Sequence, residues 1–337
     1  MTGLLRNILR SLTATTVRRV AAICLLTIVA TACEHKPFCW HHPHKTLLKV
    51  DFAWWDAPEG REKVTAMALY VYPKDGSPSQ RIVFEGSSGG IIELMNGDYD
   101  FVCLNADTET LIYNGTESLG TFTVRTPDSH VLGGMNGRVT TGNFDPADDD
   151  MKRAEGTYDE RVGSEAEDAY GHGITDYTVQ GEPGVTQIVT LYPNNITIHY
   201  HVIIENVGCP ELIQKMSGTL SGLSGEVRVH DCQRVGSHTI VPFPLYLTEE
   251  NTIEGHFVGF GHCPEDVSKA HKLALYIVNE QGDHRFFEWE VTEQVHEQDG
   301  EYFVTIIVGD VDLCGMRDMD LVVDPWISSP PIILPMQ

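Results

Sequence analysis

An alternation of period two runs through most of this chain and constrains its fold more than any other feature. Leu48, Val50, Phe52 and Trp54 alternate with Lys49, Asp51 and Ala53, which turns one face of a strand toward a core and the other toward solvent. Met67, Leu69 and Val71 repeat the pattern. Residues 91–95 and 99–104 flank Asn96-Gly97, a dipeptide that predicts a hairpin. Segments 110–113 and 121–125 continue the series. The alternation returns at 186–191, and then Ile196, Ile198, Tyr200, Val202 and Ile204 share one face while Thr197, His199 and His201 share the other. Further strands are expected at 227–230, 252–260, 272–279, 285–291 and 302–308, with Gln281-Gly282-Asp283 as a second hairpin turn. Short helices are expected at 210–216 and 264–271, because Cys209 and Cys263 each precede Pro-Glu, with proline at the first helical position. The fold class is therefore all-β, with antiparallel β-sandwich domains and short helical inserts.

The length suits two such domains. Residues 44–185 form the expected N-terminal domain and residues 186–326 the C-terminal one. The segment 145–168 carries ten acids and three bases with almost no alternation, and it predicts a solvated connecting stretch. Asp145, Asp148, Asp149 and Asp150 are hard oxygen donors, but no glycine follows at the spacing of a calcium loop, so a solvated acidic run is expected there. Residues 327–337 are a tail with Pro330, Pro331 and Pro335, which cannot donate to a ladder.

The first 32 residues carry Arg6, Arg10, Arg18 and Arg19 and no acid, followed by the uncharged run Val20 to Ala32. That run is too short to span a bilayer but fits a signal-peptide apolar region. It ends in Ala30-Thr31-Ala32-Cys33, small residues before a cysteine, the pattern of a lipoprotein signal-peptidase site, with Ala30 where leucine is usual. Cys33 is thus the candidate lipidation site and residues 33–43 the tether. Ala30-Thr31-Ala32 also fits ordinary secretion, and Arg18-Arg19 is compatible with twin-arginine export. The mature chain keeps 19 basic against 48 acidic side chains, a net charge of −29. Such a chain repels phosphate backbones, which excludes nucleic acid as a partner and leaves lipid as the membrane contact.

Few groups of residues suggest chemistry. Gly86-Ser87-Ser88-Gly89-Gly90 matches the nucleophile-elbow pattern around Ser88, but both flanks read as strands and not as the strand-to-helix turn that would expose a serine, so a hairpin loop is expected. Cys39, His41, His42 and His44 are the densest set of soft metal ligands. Pro43 stiffens that segment and adjacent histidines point apart in an extended chain, so the expectation is no metal and a plain lead into the strand near Leu47. His199 and His201 are expected to be solvated or to lie between sheets. Trp54 falls in phase with the core, whereas Trp55 falls on the opposite face and could stack on a sugar. Six cysteines remain after Cys24 and Cys33 are set aside, which leaves fifteen pairings open. Cys103 alternates in phase with Tyr99 and Phe101 and is expected to be a buried thiol. No catalytic pair, phosphate loop or dinucleotide fingerprint emerges, so neither an enzyme nor a cofactor is expected.

The lipobox-like Cys33, the segment Cys39-Trp40-His41-His42-Pro43-His44, and Ile92-Glu93-Leu94-Met95-Asn96-Gly97-Asp98-Tyr99-Asp100 followed by Asn105-Ala106-Asp107-Thr108-Glu109 resemble an uncharacterised Bacteroidales lipoprotein family that is similar to fimbrillin-type proteins, including minor-fimbrium anchor subunits. Asn194 to Val202 and Ser217-Gly218-Thr219-Leu220-Ser221-Gly222 resemble the C-terminal half of the same group. The resemblance implies two tandem transthyretin-like sandwiches, lipid-anchored at the outer membrane. Its implied role is that of a fimbrial anchor or accessory adhesion subunit, with fimbrial subunits or glycan as partners. Members of the group assemble by strand donation, but no donor strand stands out here: residues 34–46 are rich in His and Pro, and the tail carries three prolines.

Overall fold

A computed structural model of the chain describes residues 45–54, 64–135, 152–181, 185–262, 268–298 and 300–315. The regular structure of the described chain is almost entirely strand, as the alternation requires. β1 (Lys45–Phe52) lies between β4 (Gly89–Met95) and β10 (Thr186–Leu191) in a three-stranded sheet. Opposite it is a five-stranded sheet in the order β11 (Asn194–Asn195), β9 (Tyr170–Val179), β5 (Gly97–Asn105), β2 (Ala66–Pro73), β3 (Gln80–Glu85). Leu48, Val50 and Phe52 of β1 and Val189 and Leu191 of β10 share one apolar cluster with Leu69, Phe101 and Cys103 of the second sheet. Trp54 joins this cluster edge-on to Tyr170, and Cys103 is a buried free thiol.

β2 and β5 are buried on both faces, so β2 reads Ala-Met-Ala-Leu-Tyr-Val-Tyr with no polar side. Their second face carries Tyr70, Tyr72, Val102 and Leu104. These residues pack on Phe122, on Val124 of β7 (Thr123–Arg125), and on Val227 and Val229 at the end of β13 (Lys215–Arg228).

The third sheet runs β17 (His284–Glu290), β16 (Lys272–Val278), β13, β14 (Gln233–Leu247), β15 (Ile253–Gly259), β12 (Ile198–Gly208), β18 (Phe303–Asp312). It closes around its own core because β14 serves two layers. Residues 233–244 of β14 pair with β13, and Leu245, Tyr246 and Leu247 pair with β15. Tyr200, Val202, Phe243, Phe257, Leu275 and Ile306 meet inside. β7, together with β6 (Ile112–Asn114), extends this sheet from β13, and β8 (Arg161–Val162) extends it from β14. β10 and β11 in turn pair with strands that precede residue 185.

Four features depart from the sequence reading. Three strand pairs are parallel: β1 with β10, β12 with β18, and β8 with β14. Asn96-Gly97 is not a hairpin turn, because β4 pairs with β1 while β5 pairs with β2 and β9. The chain there arches from one sheet to the other, and so it does at residues 86–88 between β3 and β4. Gly89 is needed at that second arch: its φ is +92° and a Cβ would stand 2.3 Å from the Val50 carbonyl oxygen. Residues 152–168 are not a solvated connection. Ala154, Thr157, Glu160, Val162 and Ala166 are buried, and two of the acids find partners distant in sequence: Glu160 takes Lys269 and the Gly222 amide, and Glu167 accepts the amides of Glu109 and Thr110. The helix expected from Pro210 is one 3-10 turn, Pro210–Leu212, since Lys215 already pairs with Val278 in the sheet. The hairpin at Gln281-Gly282-Asp283 forms as expected, with the Asn279 carboxamide accepting the amides of Gln281 and Asp283.

Cys209 and Cys314 form a disulfide across 105 residues, joining the end of β12 to the chain just past β18. Cys232 is a free, part-buried thiol. Cys39 and Cys263, the acids 145–150 and residues 264–267 of the helix expected at 264–271 lie outside the described residues, and residues 268–271 are not helical.

Phe122 has no exposed surface and meets Tyr70 at a ring separation of 4.6 Å. Phe122→Ala should cost about 3–5 kcal/mol, whereas Ile91→Ala, at a residue 65% exposed, should stay within about 0.5 kcal/mol. Urea midpoints of the two variants check this.

Candidate functional site

The layer formed by β14, β15, β12 and β18 turns its apolar side inward, so its outward side is set by the alternate residues. β12 buries Ile198, Tyr200, Val202 and Ile204 and presents His199, His201 and Ile203. β15 presents Glu254, His256 and Val258, and β18 presents Phe303, Thr305 and Ile307. Register aligns them in rows. Phe303, His199 and Val258 form one row, and Thr305, His201 and His256 the next. Phe303, Ile307 and Tyr246 are exposed large side chains on this face.

The polar groups are coupled. His201 Nε2 lies 3.0 Å from Glu254 Oε2, and His256 Nε2 lies 3.0 Å from the Tyr246 hydroxyl, which itself donates to Glu254. The rings of His201 and His256 stack with centroids 4.1 Å apart. Burial, and then the neighbouring His201, lower the pKa of His256, because each disfavours a positive charge on its ring. His199 Nε2 meets Asp168 Oδ1 at 2.7 Å and the Tyr302 hydroxyl at 2.9 Å. Burial, and then Asp168, push the Tyr302 phenol up. A concavity of about 210 Å³ opens among Glu165, His199, His201, His256 and Phe303, and burial raises the pKa of the Glu165 carboxyl. His201, Glu254 and His256 offer three donor atoms within 4.8 Å of one another and could hold a metal ion. The face combines aromatic surface with hydrogen-bonding groups, a composition suited to binding.

His199 and His201 therefore sit on the outward face, as the alternation placed them. Glu254, His256, Tyr246, Tyr302 and Phe303 carried no motif. Their own alternation could have put them on an outer face, but only the cross-strand register brings His256 opposite His201. Ser88 lies in a bend between two strands, and its neighbour Ser87 accepts the Trp54 indole at 2.7 Å. The flanks are strands, so the geometry of a nucleophile elbow is not there. Cys33, Cys39, His41, His42, His44 and Trp55 lie outside the described residues.

Beside this face, the outer edge of β18 is covered by side chains. α1 (Thr292–Glu297) carries Gln294, and Gln298 follows at its end. The Gln294 carboxamide accepts the Ile307 amide and donates to its carbonyl, and Gln298 does the same for Thr305. The Trp289 indole donates to Gly309 O. These amides imitate the ladder that a further strand would make, and so close the edge to strand addition.

The profile of a protein family described as a domain of unknown function (DUF5119) matches residues 32–244, more than half of the chain. The chain belongs to this family. No curated protein matches the DUF5119 chain. Among solved structures, a candidate adhesin from Bacteroides ovatus is similar at a TM-score of 0.57 and 17% identity, covering 80% of this chain and 94% of its own. The fimbrial anchor protein Mfa2 from Porphyromonas gingivalis gives 0.47 and 13%, covering 79% and 91%. The all-β fold is shared with the Bacteroides ovatus protein. Among the described residues no helix is long and apolar enough to cross a membrane.

Replacing Gln294 and Gln298 together by alanine should free the β18 edge. Hydrogen exchange at the Thr305 and Ile307 amides should quicken, while the alternate amides facing β12 stay protected. Stability should fall by about 1–3 kcal/mol.

Proposed function

We propose that this DUF5119 protein is a non-enzymatic cell-surface protein of adhesion type, held at the outer membrane by lipid on Cys33 and acting as an anchor or accessory subunit of a fimbria. The observation that carries the reading is the covered edge of β18. A subunit that extends a fibre needs an open edge or groove, whereas here Gln294 and Gln298 occupy the backbone groups of Thr305 and Ile307. The fold shared with the Bacteroides ovatus candidate adhesin supports the same class.

A second reading, glycan binding, is favoured by the exposed rings of Phe303 and Tyr246 beside His201 and Glu254. Sugars stack on such rings while imidazole and carboxylate groups take their hydroxyls.

Radiolabelled palmitate should enter the wild-type protein and not Cys33→Ala, and the variant should leave the membrane fraction. Solubilised wild-type protein should co-purify with fimbrial subunits. A Cys33→Ala protein that still labels and still sediments with membranes would defeat the anchor. Recovery of glycan-uptake proteins instead, with binding lost in Phe303→Ala, would favour the second reading.

A further inference from the structure

Register gathers three metal-ligating side chains on the outward face of the third sheet. His201 of β12 stands directly opposite His256 of β15, and Glu254 lies two residues before His256 on the same face. Opposite side chains on antiparallel strands are about 4.5–5.5 Å apart at Cβ, and the diagonal neighbour stays within reach of a long side chain. One ligand atom from each of His201, Glu254 and His256 lies within 4.8 Å of the other two. We propose that His201, Glu254 and His256 are the ligands of a divalent transition-metal ion such as zinc, bound on the outward face of this sheet.

The donor set and its spacing suit such an ion. Zinc takes two imidazoles and one carboxylate, and imidazole nitrogen favours it over calcium and magnesium, which prefer oxygen. Tetrahedral zinc with ligands at about 2.0–2.1 Å sets its donor atoms roughly 3.3 Å apart. His201 Nε2 and Glu254 Oε2 are 3.0 Å apart, so an ion takes the place of the proton they share. The other separations within the triad close by at most about 1.5 Å to reach that value. The rings of His201 and His256 stack with an interplanar angle of 17°. Near-parallel rings do not aim their lone pairs at one point, so binding turns His256 about χ2. That torsion is soft, His256 is exposed, and the turn gives up its hydrogen bond to the Tyr246 hydroxyl. Tyr246 stands opposite Glu254 on β14, and its hydroxyl donates to Glu254 Oε2 at 3.3 Å. An outer partner of this kind orients a ligating carboxylate.

Three protein ligands leave a tetrahedral ion one position for solvent. His201 and His256 also line the concavity of about 210 Å³, so the ion would sit at its border. Two neutral imidazoles and one carboxylate leave a divalent ion with net positive charge, on a chain whose formal charge is −25. The patch then attracts oxygen donors and anions that the rest of the chain repels. The other histidines are placed differently. His199, in the next row, is held by Asp168 and Tyr302. His262 after β15, His271 before β16 and His296 in α1 meet with ring centroids between 4.7 and 5.7 Å apart. Their close nitrogen approach, His271 Nε2 to His296 Nε2 at 3.1 Å, is a hydrogen bond.

The test titrates zinc chloride into the full chain in detergent after stripping with EDTA. Wild type should bind about one equivalent at this site. His201→Gln, Glu254→Gln and His256→Gln should each weaken that binding by at least about tenfold, the loss expected from removing an outer partner alone. His199→Gln, His271→Gln and the double change of His41 and His44 to alanine should leave it in place. Zinc should shift the imidazole nitrogen resonances of His201 and His256 in wild type and not in Glu254→Gln. The three side chains lie on an outward face, so their variants should fold, which unchanged far-ultraviolet circular dichroism would establish. Absence of zinc binding overturns the proposal. So does binding that survives all three ligand substitutions, or binding lost in His271→Gln or in the His41 and His44 variant instead.

Discussion

The five-stranded sheet has no polar face at its centre, and the rest of the structure answers to that constraint. β2 and β5 need apolar cover on both sides. One side is covered by the three-stranded sheet through Leu48, Val50 and Leu191. The other is covered by Phe122, Val124, Val227 and Val229, which come from the third sheet and its extension. Each large side chain so buried contributes about 1.5–3 kcal/mol, so the two sandwiches share apolar surface that neither could leave in water. The same demand draws residues 152–168 inward, where Val162 and Ala154 pack on Ile240 and Tyr276 of the third sheet.

Sharing one face solves the burial problem and leaves an edge problem. β18 ends the third sheet, and an exposed row of amides and carbonyls there would recruit another chain. Two glutamines and a tryptophan indole satisfy that row instead, which makes the end of the sheet a finished surface. The disulfide Cys209–Cys314 ties the far ends of the parallel pair β12 and β18 together.

The described histidines mentioned above divide by environment. His199, His201 and His256 stand on an outward face, each beside an acid or a phenol. His262 and His271 are buried and, with His296, face one another. An imidazole in the first setting is a hydrogen-bonding group on an outward surface. In the second it packs against the other two rings.

The alternation by itself determined the all-β class, most of the strands, and which face of β12 would carry His199 and His201, because side-chain direction along a strand has a strict period of two. It also placed Trp54 and Cys103 in the core. It could not say which strands would pair. Asn96-Gly97 has the chemistry of a tight turn, yet β4 and β5 separate into different sheets, since sheet membership depends on long-range burial and not on the turn. Composition misled in the same way at 152–168, where acids seemed solvated but Glu160 and Glu167 have partners many residues away. Register alone brought His256 opposite His201, and the packing of α1 carried Gln294 and Gln298 to the edge of β18. The meeting of His262, His271 and His296 likewise arises from two loops and a helix whose positions only the packed core specifies. Local pattern sets what each residue faces, and tertiary packing decides what it meets.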